Sequence, residues 1–202
     1  AEKQIVGTWH ADLAATQHYV KQRFDAEPGA VASSALWKRF ERIGLEFTDF
    51  INRLEAAQVE YDLGSEAILR EHGRTEAKNL IVGERRYDVV VLPPGMDNLE
   101  STTMALLTPF LEAGGRIISA ADLPAFVDGQ SSDAPAGLAS GHPENWGRLA
   151  PAEAADRLAE VSGEDIEFSG LEGETAMFFH HRRRLADSQL VFLANVSPDK
   201  PM

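Results

Sequence analysis

The run Arg85-Arg86-Tyr87-Asp88-Val89-Val90-Val91-Leu92-Pro93-Pro94-Gly95 constrains this chain more than any other stretch. Three valines and a leucine without a polar interruption suit a strand covered on both faces, as the strands of parallel sheets are. Pro93-Pro94-Gly95 stops the ladder, because proline has no amide hydrogen to donate and glycine opens a turn. The run therefore predicts a parallel α/β sheet with residues 87 to 92 in its middle. Ligands of open α/β sheets bind beyond the carboxyl ends of the strands, so the residues after Leu92 are the first place to look for a site.

The rest of the chain keeps an α/β cadence. Trp9, Leu13, Val20 and Phe24 predict an amphipathic helix over 9 to 25. Leu36, Phe40, Ile43, Phe47, Phe50, Ile51 and Leu54 predict a stronger one over 35 to 57. A short strand over 59 to 63 and a short helix from Ser65, capped by that serine, come next. Asn79 to Gly83 and Tyr87 to Leu92 read as a hairpin feeding the core strand. Ser101 is expected to cap a helix through Leu111, Gly114-Gly115 to end it, and Arg116 to Ala120 to form the next parallel strand. Gly129 to Gly147, rich in Gly, Ser, Pro, Ala and Asp, reads as a long surface loop. A helix over 151 to 161 follows, then a strand at 166 to 168. Residues 175 to 182 and 189 to 196 are expected to form an antiparallel pair at the sheet's edge.

With 202 residues the chain suits one domain. The net charge of -13 argues against nucleic acid and anionic membrane as main partners, and no apolar run approaches the length of a membrane helix. The chain has no cysteine, which removes disulfides, thiolate metal sites and thiol nucleophiles and leaves the redox compartment unreadable. It opens at Ala1-Glu2-Lys3 without an initiator methionine and closes after a strand-like run, so an excised piece of a longer polypeptide is expected. Any signal peptide, as for a secreted or periplasmic parent, would then lie outside it.

Several stretches taken together resemble the flavodoxin-type, class I glutamine amidotransferase-like domain that accompanies catalytic barrels in glycoside hydrolases. The family 42 β-galactosidases and family 106 α-L-rhamnosidase-like enzymes are the examples. The stretches are Tyr61-Asp62-Leu63-Gly64-Ser65-Glu66, Tyr87 to Gly95, Ala113-Gly114-Gly115-Arg116-Ile117-Ile118, Phe178 to Arg183 with Asp187, and Val191-Phe192-Leu193-Ala194-Asn195. They span roughly residues 45 to 200. The resemblance implies a mostly parallel sheet between helices, with antiparallel strands at the carboxyl-terminal edge. Active amidotransferases place a nucleophilic cysteine just after the strand matched by Arg116 to Ala120, where this chain has Ala120 and Ala121. Alanine carries no attacking lone pair, so that chemistry cannot run there.

Six residues are candidates for ligand or interface contacts. Asp97 and Asn98 follow the core strand and suit a sugar hydroxyl or a neighbouring domain, although Asx turn chemistry is the simpler explanation. Glu66 with Asp62 resembles a carboxylate pair, but glycosidic acid-base work needs two carboxyls about 5 to 10 Å apart, and Glu66 also suits a helix start. Trp146, in the Gly141 to Trp146 stretch, suits stacking on a sugar ring or packing of the loop on the core. His181 and Arg183 belong to the dense cationic run His180 to Arg184; as a strand it divides into His180 and Arg182 on one face and His181 and Arg183 on the other. That strand suits an acidic partner surface, an anion, or protection of a sheet edge. His10 and His18 lack zincin spacing, and no catalytic residue, metal site or cofactor is assigned.

The function expected from these features is a non-catalytic accessory domain of a carbohydrate-active glycoside hydrolase, bracing the barrel or shaping its cleft. Its partners would be the catalytic domain of the same parent chain, the parent's carbohydrate substrate and other copies in a homo-oligomer. The alternatives are an amidotransferase-superfamily hydrolase with a non-cysteine site and a small-ligand or sugar binding module.

Overall fold

A computed structural model describes residues 3–7, 35–162, 178–185 and 187–195. The expected helix over 9 to 25, with His10 and His18, and the expected strand over 166 to 168 lie outside the described residues. Five α-helices and twelve strands are described. In order they are β1 (Lys3–Gly7), α1 (Ala35–Ala56), β2 (Tyr61–Gly64), α2 (Glu66–His72), β3 (Gly73–Glu76), β4 (Asn79–Val82), β5 (Arg85–Leu92) and β6 (Asn98–Leu99). Then come α3 (Ser101–Glu112), β7 (Arg116–Ser119), β8 (Phe126–Val127), β9 (Gln130–Ser131), α4 (Ala134–Gly141), β10 (Trp146–Arg148), α5 (Pro151–Ser162), β11 (Phe178–Arg184) and β12 (Gln189–Asn195). The chain is of the mixed α/β class. Its main sheet runs β10-β7-β5-β1-β2, with every neighbouring pair on this path parallel. The antiparallel β3–β4 hairpin joins through residues 80 to 82, which pair with 85 to 87 at the start of β5.

β5 sits mid-sheet, as its sequence predicts, and its alternation divides the core. Val89 and Val91 pack with Phe50 and Leu54 of α1, Ile118 of β7, and Ala154, Ala155 and Leu158 of α5. Val90 and Leu92 pack on the opposite side with Leu107, Phe110 and Leu111 of α3, Leu80, Leu99, Ile117 and Trp146. Successive strand side chains point to opposite faces, so the unbroken apolar run reflects helices over both sides. Tyr87 breaks parity by joining the Val90 side. The ladder explains it: Lys3 pairs with Tyr87 and Gln4 with Val89, so Asp88 is the extra residue of a bulge.

Four expectations need correction. Gly129 to Gly147 is not a structureless loop, since it holds β9, α4 and the start of β10. Proline at the first turn of α4 is compatible with helix, because its missing amide hydrogen has no partner to lose there. Among the described residues, the carboxyl-terminal antiparallel pair is not an edge of the main sheet but a two-stranded sheet of its own. Ser65 occupies the N-cap position of α2 without a side-chain cap bond, and α3 begins one residue earlier than expected, with Glu100 at its N-cap. The amide hydrogens at the start of α3 are taken by carboxylates from elsewhere. Glu100 N–H donates to Glu66 Oε1 at 2.6 Å and Ser101 N–H to Asp128 Oδ1 at 2.9 Å. The second bond holds the Asp128 carboxyl below its ordinary value, since the amides favour the charged form.

Gly115 marks where α3 turns back into the sheet. An ideal β-carbon there would lie 2.4 Å from the ring of Phe110, which is fully buried and has no room to step aside. Gly115→Ala is expected to lower the unfolding free energy by roughly 1–3 kcal/mol in urea titrations, the range of an overpacked core. Gly147→Ala, where nothing lies within 4 Å of the new carbon, is expected to stay within about 0.5 kcal/mol of the parent.

Candidate functional site

The carboxyl ends of β5 and β7 open into a cleft of about 520 Å³. Its base is the turn that follows β5. Met96 N–H donates to Pro93 O at 3.3 Å and Gly95 has φ +80°, so Pro93 to Met96 is a type II turn with proline and glycine where that turn wants them. Glycine also admits α1: a β-carbon at Gly95 would stand 3.0 Å from Ile43. One wall is a charged stripe on α1, where Arg39, Arg42, Glu46 and Asp49 recur at helical spacing. The opposite wall is Ala121-Asp122-Leu123 after β7, with Pro151 at the start of α5. Ala120 is fully buried and its N–H donates to Leu92 O at 2.8 Å, extending the ladder between the two strands. The position where a nucleophile was sought therefore does adjoin the cleft, and it carries methyl groups.

Asp97 lines this cleft and forms an ion pair with Arg39. The side chains are 50% and 41% exposed, so solvent screens the pair and it contributes little to stability. It places two hydrogen-bonding groups of opposite charge at the mouth of an otherwise partly apolar cleft. Asn98 is not part of it. Its Oδ1 accepts from Gly129 N–H at 2.7 Å, and β6 pairs with β8, so Asn98 ties down the β8–β9 hairpin.

The other candidates fall elsewhere. Glu66 is 2% exposed and serves the start of α3, whereas Asp62 Oδ2 accepts from the Tyr87 hydroxyl at 3.0 Å. The two carboxylates are committed to different partners. Trp146 is 4% exposed and packs in the core, its indole N–H donating to Ser119 Oγ at 2.9 Å. Of the two roles open to this indole, packing is the one it has; the ring face that stacking on a sugar needs is covered. His181 and Arg183 are exposed on β11.

The second polar constellation was not legible beforehand. Arg182 grips Glu60 with two bonds, Nε to Oε1 at 2.7 Å and NH2 to Oε2 at 2.8 Å. His180 Nδ1 lies 2.8 Å from Gln58 Oε1, and its Nε2 3.6 Å from Glu60 Oε1. The predicted division of faces is thus realised: His180 and Arg182 turn inward, and His181 and Arg183 outward. Nearby, the Tyr61 hydroxyl donates to Glu55 Oε1 at 2.5 Å. Burial, then the Glu55 carboxylate, pushes Tyr61 well above the ordinary tyrosine value; burial and Asp62 do the same to Tyr87.

No protein-family model, curated protein or solved structure matches the chain in comparisons with known proteins.

Two outcomes follow from this geometry. Arg182→Ala leaves the Glu60 carboxylate without its fork, so the ribbon should open more often. Cleavage by protease in the turn after Arg184 should speed up on the order of tenfold, less than for a fully buried pair because Glu60 is part-hydrated and His180 stays beside it. For the tyrosines, a folded-state pKa raised above the unfolded one contributes stability fully present below the unfolded value, about pH 10, and lost as pH climbs through the folded one. Alkaline titration followed at the phenolate absorbance should show Tyr61 and Tyr87 ionising only as the protein unfolds. In Tyr61→Phe with Tyr87→Phe the alkaline decline in stability should be shallower.

Proposed function

We propose that this chain is a flavodoxin-like, amidotransferase-type accessory domain of a carbohydrate-active glycoside hydrolase, without catalytic apparatus of its own. The strand order carries the reading. Counting the parallel strands alone, β1, β2, β5, β7 and β10 lie in the order 2-1-3-4-5, which is the flavodoxin arrangement. The turn after the fourth of them carries Ala120-Ala121-Asp122 beside the cleft, so the scaffold of an acyl-transfer site is paired with methyl groups where the attacking atom belongs. The assignment to a glycoside hydrolase rests on the sequence resemblance, and the domain's partners would be the catalytic domain and substrate of that parent.

Determination of the reading frame around this segment tests the assignment, with a barrel-forming domain on the same polypeptide as the expected result. A frame beginning near Ala1 and stopping near Met202 would overturn it. The purified chain is expected to release no ammonia from glutamine and no chromophore from aryl glycosides. Turnover that disappears in Asp97→Asn would establish the enzymatic alternative instead.

The cleft itself favours a second reading, a small-ligand module. Arg39 and Asp97 offer a donor and an acceptor beside Ile43, Met96 and Leu123, a combination suited to a polyol with polar rim and apolar face. Calorimetric titration with rhamnose or galactose would then give saturable heat that Asp97→Ala weakens at least tenfold; no heat with either sugar would remove this reading.

A further inference from the structure

A pocket of about 220 Å³ opens on the α5 side of the sheet, toward the amino ends of β7 and β10, whereas the cleft lies beyond the carboxyl ends of β5 and β7. The ladders account for it. Val89 pairs with Arg116 and Ile118 with Gly147, and paired neighbours in a sheet present their side chains to one face. Val89 and Ile118 belong to the core under α5, so Arg116 and Gly147 face that layer too. Gly147 supplies no side chain to it. Leu149 and Val161 complete an apolar floor, and Arg157 borders the pocket one helical turn before Val161.

Neither conformation nor crowding calls for glycine at 147. Its φ is not in the left-handed region, β10 pairs with β7 without a register shift, and a β-carbon there would meet nothing within 4 Å. A glycine inside a strand that is neither a bulge nor a tight bend marks a place where another group comes close to the backbone. The space is sufficient for a small molecule, since an apolar cavity of about 150 Å³ already takes benzene.

We propose that this pocket binds a small monocarboxylate with an apolar body, the body beside Gly147 and the carboxylate on Arg116 and Arg157. Charge selects that class. The whole chain carries -13, yet the charged groups described in this lining are two guanidiniums and a single carboxylate, Glu144. Arg116 donates from NH2 to Asp88 Oδ2 at 3.2 Å and Arg157 from NH1 to Glu160 Oε2 at 2.7 Å. A guanidinium carries several donors in a planar fork, so both keep N–H groups for a further acceptor. Their side chains are 42% and 58% exposed, so a carboxylate reaches them without losing all its water. Glu144 opposes a second negative charge, which sets a monocarboxylate ahead of a dicarboxylate or a phosphate. The apolar floor then separates this class from acetate, which has nothing to bury.

Titration of the full chain with phenylacetate, followed by amide chemical shifts, tests this. The expected result is saturable shifts at Gly147, Ile118 and Leu149, with a dissociation constant of about 1 mM or tighter, and none at Asp97 or Ala121 in the cleft. Phenylethanol, which keeps the ring and lacks the charge, and acetate, which keeps the charge and lacks the ring, should each bind at least tenfold more weakly. Arg157→Gln and Arg116→Gln should each weaken phenylacetate at least threefold. Gly147→Val, folded by its amide spectrum, should abolish binding by occupying the space. No saturation by phenylacetate, equal affinity for phenylethanol, or affinity unchanged in both glutamine variants would overturn the proposal. Shifts confined to the cleft would overturn it as well, and would leave the small-ligand reading of that cleft standing.

Discussion

Everything in this molecule is arranged around the two-sided burial of β5. Its four apolar residues are shared alternately between two cores, so neither helical layer can pack without the other strand face being covered as well. Val90 and Leu92 need α3; Val89 and Val91 need α1 and α5. The connection from β5 to β7 through α3 covers one side, and the helices before β2 and after β10 cover the other. Two-sided burial also explains why the ladder must stop abruptly. A strand committed to both faces has no solvent side to bend toward, and the Pro93-Pro94-Gly95 turn ends it within one residue of Leu92.

The starts of the helices show how far local rules extend. Ser65 and Ser101 carry the right chemistry for caps, yet neither supplies one; the amides at the start of α3 are satisfied by Glu66 and Asp128, one 34 and the other 27 residues away. A buried glutamate that bonds a distant amide stabilises the helix and fixes α2 against it in one interaction. In a sequence that glutamate looks like part of a carboxylate pair with Asp62. Only the fold separates them, by sending Asp62 to Tyr87.

What was legible follows the same division. α1, β5, α3 and β7 were readable because their periodicity is set by a layer that each of them faces over many residues. β1 was not, because Gln4-Ile5-Val6 is too short to carry a period, although it occupies the place between β2 and β5. The stretch from Gly129 to Gly147 looked like loop by composition, while its order comes from non-local bonds: Ile117 N–H to Asn145 O at 2.7 Å and the indole of Trp146 to Ser119. One signal in it was local. Asp128 and Gly129, with φ of +51° and +73°, form the two-residue turn of the β8–β9 hairpin, a dipeptide suited to that role. The partners of Arg39 and Arg182 were out of reach, because a charged stripe on a helix or strand states its own spacing but not what it faces.

The cleft and the ribbon lie in different parts of the architecture, and their chemistry differs accordingly. The cleft is built on strand ends: Ala121 follows the ladder between β5 and β7, which Ala120 N–H extends to Leu92 O, and Asp97 is held through its carbonyl by Ala125 and Phe126 N–H, each at 2.9 Å. Among the described residues, the ribbon is joined to the rest by the Arg182 fork on Glu60 and by His180 at Gln58 and Glu60. An isolated two-stranded ribbon is marginal in water, so these contacts contribute to its persistence. A site that needs exact placement belongs in the first setting, and that is the physical reason to look for ligands at the strand ends.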